Sequence, residues 1–136
     1  MRILVAEPIA EEGIAQLREH HEVDVQLGRT PEELAAIIGE YDALVVRSQV
    51  DVDAKLIAAG KRLTVIGRAG VGVDNVDLDA ATRAGITVVN APTGNTIAAT
   101  EQTLALMLAV ARKVAAADAS LRRGEWKRAQ IGRAHV

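Results

Sequence analysis

The segment that decides the fold reads Leu63-Thr64-Val65-Ile66-Gly67-Arg68-Ala69-Gly70-Val71-Gly72-Val73-Asp74-Asn75. Its first four residues predict a buried strand, and glycines follow where that strand should end. In a parallel α/β sheet, ligands bind in the loops that follow the carboxyl ends of the strands. Glycine in such a loop permits positive φ and a close approach of the backbone to a ligand. The segment therefore predicts a cradle of peptide N–H groups for an anion, with Arg68 beside it.

The spacing of the glycines is G-x-x-G-x-G, whereas dinucleotide-binding turns have G-x-G-x-x-G. No acidic residue follows at the offset of about 20 residues that a ribose ligand would need, where Val89, Asn90 and Ala91 stand instead. The segment is thus not a dinucleotide fingerprint. A tight turn between strand and helix, without a ligand, remains the alternative.

The length and composition predict one soluble domain with an aliphatic core. The chain has 136 residues, 49% of them hydrophobic, but its aromatic residues are only Tyr41 and Trp126. A net charge of −2 provides no basic field for nucleic acid, and the absence of cysteine excludes disulfides and thiolate metal sites. No His/Asp/Glu spacing predicts a metal site. The longest apolar run, 104–111, is too short to cross a bilayer, and we expect no membrane partner and a cytoplasmic location.

Short β-rich runs alternate with helical patterns along the first 94 residues. Strands are predicted at 3–6, 23–27, 43–46, 63–66 and 86–89, and helices at 9–20, 30–39, 53–59 and 77–84. Thr30, Pro31 and Glu33 form a capping signature for the second helix, and Gly39 is predicted to end it. This alternation predicts a flavodoxin-like, doubly wound parallel sheet of five strands with the order 2-1-3-4-5.

The pattern changes after Gly94. One long helix is predicted at 97–117, and it is so uniformly apolar that it should be buried on all sides by a further domain or a second subunit. We therefore expect one flavodoxin-like domain at 1–94, and at 95–130 a helical part that packs on a further domain or a second subunit. Residues 131–136 match the translation of a common sequencing adapter, so we expect them to be a read-through tail.

Polar residues follow two other predicted strands at the same edge of the sheet. Arg47 and Ser48 follow the third strand, where an arginine is suited to bidentate binding of a carboxylate or phosphate. A surface ion pair is the alternative role for Arg47. Asn95 and Thr96 precede the long helix, where N-capping is the alternative to ligand contact.

Other polar groups are interpreted as solvated. His20 and His21 end the first helix at the opposite edge, where the helix dipole favours them. The basic cluster is interpreted as a solvated helix face, with an anion or partner contact as the alternative; it comprises Arg122, Arg123, Lys127 and Arg128 beside Trp126. A phosphoacceptor receiver domain has the same topology but needs an aspartate after the third strand, where this chain has Arg47.

Four stretches in this order resemble the D-2-hydroxyacid dehydrogenase family, and within it the N-terminal part of the phosphoglycerate dehydrogenase branch. They are Val46-Arg47-Ser48, the segment from Ile66 to Asp77, Asn90-Ala91-Pro92-Thr93-Gly94-Asn95, and Gly124-Glu125-Trp126-Lys127-Arg128. The resemblance covers residues 3 to about 130. One minor departure is Thr100, which precedes Glu101 where the family usually has alanine.

The resemblance implies an NAD-dependent oxidoreductase that oxidises the hydroxyl of 3-phosphoglycerate in the first step of serine synthesis. Arg47 and Ser48 would hold the anionic groups of the substrate. The N–H groups of Ala69, Gly70 and Val71 would face its carboxylate, with Val71 and Asn95 near the cofactor. Residues 1–94 would be the substrate domain. The crossover or dimerisation helices at 95–130, with the long helix from residue 97, would lead into a Rossmann domain and lie near a dimer interface, so a homo-oligomer is expected.

The resemblance also implies what this chain lacks. The Rossmann fingerprint, the acidic ribose ligand and the catalytic Arg, Glu and His of the family lie beyond the region that these residues match, and His20 and His21 do not correspond to the catalytic histidine. We therefore expect no catalytic residue here and no activity from the 136 residues alone. The alternatives are another D-2-hydroxyacid dehydrogenase, of the glycerate, glyoxylate or lactate type, and a non-catalytic flavodoxin-like binding module.

Overall fold

The computed structural model describes residues 1–126. Lys127 and Arg128 of the basic cluster, and the predicted tail at 131–136, lie outside the described residues. The chain divides into two compact units, Met1–Gly94 and Asn95–Val136.

The first unit contains a five-stranded parallel sheet. Its strands are β1 (Arg2–Val5), β2 (Glu22–Val25), β3 (Ala43–Val46), β4 (Val65–Arg68) and β5 (Thr87–Asn90). Their spatial order is β2-β1-β3-β4-β5, which confirms the predicted topology. The carboxyl ends of all five strands therefore lie at one edge.

Four helices connect these strands: α1 (Glu11–Arg18), α2 (Pro31–Ile37), α3 (Ala54–Ala59) and α4 (Leu78–Arg83). The capping box that starts α2 is present, because the Thr30 side chain accepts from the Glu33 N–H and the Glu33 side chain accepts from the Thr30 N–H. α2 ends at Ile37 with Ile38 as its C-cap, so Gly39 directly follows the helix as predicted, although its φ is not positive. A 3₁₀ turn (Ile38–Glu40) continues from α2, and a Cβ on Gly39 would lie 3.2 Å from the Ala59 carbonyl oxygen, so close packing explains the glycine.

The fourth strand begins and ends two residues later than predicted. Val65 pairs with Ala43 and Arg68 with Val46, so Gly67 and Arg68 belong to the strand and the loop begins at Ala69. Leu63 instead takes part in a turn in which its N–H donates to the Gly60 carbonyl oxygen, and its side chain is buried. Because the pairing with β3 extends β4 to Arg68, the loop that follows the strand begins closer to Val71 than the sequence predicted.

The core of the first unit is aliphatic, as the composition predicted. Leu4, Leu44 and Ile66, from three neighbouring strands, are completely buried at its centre. Helix residues such as Leu34 and Ile57 pack on the same cluster. Burial of this apolar surface is the main force that holds the parallel sheet between its helices.

The second unit contains α5 (Thr96–Ala111) and α6 (Val114–Arg122), which corrects the prediction of one helix at 97–117. Lys113 has a φ of 53°, a left-handed conformation that interrupts the helix after Ala111. No residue of α5 is buried. In the part of the chain that the structure describes, no helix is both long and apolar enough to span a membrane.

Candidate functional site

The segment Arg47–Val50 follows β3 at the carboxyl edge of the sheet. The Arg47 side chain is exposed, and its Nη1 donates to the Pro8 carbonyl oxygen at 3.4 Å. Within residues 1–126 no carboxylate forms an ion pair with Arg47, which argues against the surface ion pair as its role. The guanidinium therefore keeps donors available for an anion.

The buried carboxylate of Glu7 lies beneath this segment. Its Oε2 accepts from the N–H groups of Arg47 at 2.6 Å and Val50 at 3.2 Å, and its Oε1 accepts from the N–H of Gln49 at 2.9 Å. Burial alone would raise the pKa of the Glu7 carboxyl, but the donated N–H groups of the segment lower that pKa below its ordinary value. Glu7 is therefore a charged acceptor at neutral pH.

Asn75 and Arg68 hold the same segment from the side of the glycine loop. The Asn75 Nδ2 donates to the carbonyl oxygens of Arg47 at 2.9 Å and Val50 at 2.7 Å. The Arg68 Nε donates to the Arg47 carbonyl oxygen at 3.0 Å. These bonds connect the loop after β3 to the loop after β4.

The glycines of the loop act through close packing and not through positive φ. Among the described residues, the glycines with positive φ are Gly28, Gly85 and Gly124, and none of them lies in this loop. The prediction that the loop glycines adopt positive φ was therefore wrong. The guanidinium of Arg68 instead occupies the space where a Cβ on Gly70 would lie. Gly70 thus permits Arg68 to fold over the loop.

The N–H groups of this loop divide into donated and free groups. The N–H of Ala69 donates to the Val46 carbonyl oxygen, and that of Gly70 to the Arg68 carbonyl oxygen, both at 2.8 Å. Within the described residues the N–H groups of Val71 and Gly72 have no acceptor in the protein. The free donors for an anion therefore begin at Val71, later in the loop than predicted.

The loop is also held by Asn90, the last residue of β5, and by Ala91, which follows it. The Gly70 carbonyl oxygen accepts from the Ala91 N–H at 2.9 Å, and the Val71 carbonyl oxygen accepts from the Asn90 Nδ2 at 2.6 Å. An open cleft of about 440 Å³ lies beside it, lined by Pro8, Ile9, Ala10, Arg47 and Ala69. The cleft combines an exposed cation with an apolar wall, which suits a small anionic ligand.

A Gly70→Ala substitution is expected to displace the Arg68 guanidinium, because the new methyl group would occupy its position. The backbone of Gly70 has no positive φ, so alanine should fold normally there. We expect an unchanged midpoint of urea unfolding but binding of 3-phosphoglycerate weakened by about tenfold, from the loss of one charge-assisted contact. Gly67→Ala is the matched control, because its Cβ would make ordinary contacts at 3.9 Å with Val45 and Val89. Equal binding by both variants would contradict this role of Arg68.

The other residues with predicted roles lie as follows. Ser48 is exposed at the carboxyl edge beside Arg47. Asn95 begins the second unit, and its side chain makes no capping hydrogen bond to α5, so N-capping does not account for it. His20 and His21 contact each other edge to face, with ring centroids 6.4 Å apart, before β2 at the opposite edge. Arg122 pairs with Asp118, and Arg123 with Glu125, as a solvated helix face would.

Glu7 and Asn75 are the site residues that the sequence reasoning missed. Glu7 comes two residues after the end of β1, so the rule that strand ends carry functional groups would have found it. Asn75 lies within the quoted glycine segment, but its contacts with the loop after β3 depend on the pairing of β3 with β4. In the described residues no cluster of His, Cys, Asp or Glu could hold a metal ion.

The family model for the D-isomer specific 2-hydroxyacid dehydrogenase catalytic domain matches residues 3–128. This chain belongs to that family. The D-3-phosphoglycerate dehydrogenase of Archaeoglobus fulgidus is 56% identical to it over 129 residues, which are 94% of this chain and 24% of the relative. The Synechocystis D-3-phosphoglycerate dehydrogenase is 49% identical over 130 residues, 96% of this chain and 24% of the relative.

Solved structures of this family share the fold of the chain. The NAD⁺-bound 3-phosphoglycerate dehydrogenase of Entamoeba histolytica is 32% identical, with a TM-score of 0.73 over 83% of this chain and 40% of that one. The chain spans about a quarter of the length of the curated phosphoglycerate dehydrogenases that it matches.

Proposed function

We propose that this chain supplies the substrate-binding region of an NAD-dependent dehydrogenase that oxidises the hydroxyl of 3-phosphoglycerate, the first step of serine synthesis. One observation carries the proposal: two arginines without ion-pair partners in the described residues lie side by side, Arg47 directly after β3 and Arg68 at the end of β4, where the Arg68 Nε donates to the Arg47 carbonyl oxygen. The free N–H groups of Val71 and Gly72 lie in the loop that follows β4. Such a set of donors matches a ligand with two anionic groups.

Each residue has a proposed role in binding. Arg47 and Ser48 hold the anionic groups of the substrate, and Val71 donates its free N–H to the carboxylate. Ala69 and Gly70 shape the loop, since their own N–H groups are already donated within the protein. The chain thus binds and orients the substrate, and we assign no catalytic residue to it.

NAD is the cofactor that we propose for this activity, where it would accept a hydride from the carbon that bears the hydroxyl. A dinucleotide needs glycine N–H groups for its pyrophosphate and an acidic partner for its ribose. Residues 1–126 contain no strand followed by G-x-G-x-x-G, so they do not fit the whole dinucleotide. We assign to the cofactor only Val71, which is 41% exposed, and Asn95, whose side chain makes no cap.

We also propose that the protein forms a homo-oligomer through the region 97–117. The large apolar side chains of α5 are exposed there, among them Leu104 at 54% and Val110 at 78%. Contiguous apolar surface of this kind marks an interaction site. A second copy of the chain is the partner that the family resemblance implies.

A different substrate, a 2-hydroxy acid or the corresponding 2-oxo acid, is the second candidate. Glycerate, glyoxylate and lactate carry a carboxylate but no phosphate, so a single anionic group would leave one of the two arginines without a partner. The non-catalytic binding module predicts no preference for hydroxy acids over other phosphates. The relative affinities for ligands with a phosphate, a carboxylate or both groups therefore distinguish the three candidates.

Isothermal titration of the purified chain with four ligands tests the proposal. We expect 3-phosphoglycerate to bind with a Kd on the order of 1 mM, and D-glycerate and D-lactate to bind at least about fivefold more weakly, because each lacks one charge-assisted contact. Inorganic phosphate should bind more weakly than 3-phosphoglycerate for the same reason. The chain alone should not reduce NAD. Preference for glycerate or lactate would favour a sister dehydrogenase, and equal binding of phosphate would favour a binding module.

A further inference from the structure

We propose that Glu7 is a positioning residue: its carboxylate fixes the conformation of the segment Arg47–Val50 and thereby aims Arg47 and Ser48 at the substrate. The expected effect of Glu7 on substrate binding rests on the proposed function. The contacts of Glu7 with the segment stand independently of it.

The carboxylate of Glu7 is enclosed by the backbone that it holds. The residue is 4% exposed, and its two oxygens accept from three N–H groups within four consecutive residues, at 2.6, 2.9 and 3.2 Å. A concave run of backbone N–H groups is the geometry that proteins use to bind anions. Here the anion is a side chain of the same protein, so the segment is folded around Glu7 before any ligand arrives.

The chain around Glu7 connects β1 to the same segment at two further points. The N–H of Ala6 donates to the Val45 carbonyl oxygen at 2.9 Å, which extends the pairing of β1 with β3 up to Glu7. The Pro8 carbonyl oxygen, on the other side of Glu7, accepts from the Arg47 guanidinium. Three consecutive residues after β1 thus set both the backbone and the side-chain direction of Arg47.

A carboxylate is the group that this position requires. Both of its oxygens accept hydrogen bonds, whereas glutamine of the same size has one acceptor oxygen and one NH₂ donor. In a Glu7→Gln variant the NH₂ would face either the Gln49 N–H or the N–H groups of Arg47 and Val50. At least one N–H of the segment would then lose its acceptor and the segment would loosen.

The hydrogen-bond donors of this segment divide into those that bind Glu7 and those that are free for the substrate. The N–H groups of Arg47, Gln49 and Val50 are donated to Glu7, so they do not face the ligand. The Arg47 guanidinium and the Ser48 hydroxyl remain for the substrate. Fixing their backbone in advance avoids an ordering cost when the substrate binds.

Glu7→Gln and Asp42→Asn form a matched pair of variants for the test. Asp42 stands directly before β3, at the opposite edge of the sheet, and its carboxylate accepts from the Arg2 N–H at 2.7 Å and from Arg62 at 2.8 Å. Both changes replace a carboxylate that links β1 to β3 with the corresponding amide. Only the change at Glu7 should reach the site.

The experiment measures amide hydrogen exchange by NMR and the Kd for 3-phosphoglycerate in the wild-type chain and both variants. In Glu7→Gln we expect exchange at Arg47, Gln49 and Val50 to accelerate by more than tenfold, and the Kd to rise by about tenfold, because a misplaced arginine loses its alignment. In Asp42→Asn the exchange of these amides and the Kd should stay within twofold of wild type. The urea midpoints of both variants report folding separately.

The outcomes separate this inference from the proposed function. Fast exchange of these amides in the wild-type chain would overturn the inference without any variant, even if Glu7→Gln failed to fold. If the wild-type chain binds 3-phosphoglycerate and Glu7→Gln binds it with the same Kd, the inference would also be overturned. A third result would separate the two proposals: the wild-type chain does not bind 3-phosphoglycerate, but its three amides are protected and Glu7→Gln removes that protection. This result would support the positioning role of Glu7 and refute the proposed function.

Discussion

Replacing Arg47 with alanine is expected to weaken binding of 3-phosphoglycerate by about 2 kcal/mol, or roughly thirtyfold, since it removes a charged donor from the site. Because the wild-type chain should bind only weakly, the variant should show no saturable binding in the same titration. The Arg47 side chain is exposed and its one hydrogen bond within residues 1–126, to the Pro8 carbonyl oxygen, is long. The urea midpoint should therefore change little.

Arg62→Ala is the matched control for this experiment. It removes the same charge from the opposite edge of the sheet, where Arg62 pairs with Asp42 at 2.8 Å. A general loss of positive charge would weaken binding equally in both variants. Only a specific role of Arg47 leaves the control with wild-type affinity, and unchanged binding in Arg47→Ala would contradict the assignment of the site.

Self-association of the purified chain is the second large effect that we expect. Leu104, Met107 and Leu108 are between 54% and 65% exposed on α5, and their burial against a second copy would be favourable by about 25 cal/mol for each Å² removed from water. Light scattering after size-exclusion chromatography should give a mass of at least twice that of one chain. The fraction of larger species should grow with concentration.

A double variant, Leu104→Glu with Leu108→Lys, should shift this equilibrium to the monomer. The two positions are one helical turn apart, so the new charges lie on one face and form a pair that supports the helix itself. Circular dichroism should therefore show unchanged helix content. Gln102→Glu is the control, because it adds a charge to α5 at a residue that is already polar and exposed. A wild-type chain that is monomeric at all concentrations would refute the proposal.

The sequence predicted the sheet well because its strands are signalled locally. Ala43–Val46 is almost wholly apolar, and three of its four residues are buried. The predicted helices at 53–59 and 77–84 correspond to α3 and α4, which end shortly before Gly60 and Gly85. Short connections and parallel βαβ units then leave few topologies, and the order β2-β1-β3-β4-β5 is one of the common ones.

The predictions that failed depend on contacts between distant residues. The bounds of β4 follow from hydrogen bonds to β3, and they include Gly67, which has a low intrinsic preference for strands. The end of α2 near Gly39 was predicted, but the close packing of Gly39 on the end of α3 is a contact that a local helix signal does not contain. Lys113 adopts a left-handed conformation for which lysine has no local preference, so the break between α5 and α6 was not predictable.

The candidate site could be predicted in part. The rule that ligands meet the carboxyl ends of parallel strands identified Arg47 and the loop that contains Val71. It could not show which N–H groups of the loop are free, since Ala69 donates to a carbonyl oxygen on β3. Nor could it show that Glu7 lies under the segment Arg47–Val50, because that contact joins residues about 40 positions apart in sequence.

Mapping of 3-phosphoglycerate on the chain by amide chemical shifts tests the central claim most directly. A titration of the ¹⁵N-labelled protein should give its largest, saturable shifts at Ser48, Val71 and Gly72, at the carboxyl edge of the sheet. Amides at the opposite edge, such as Glu22 and Asp42, should remain unchanged. Saturable shifts confined to that opposite edge, or no saturable shift at any residue, would contradict the account.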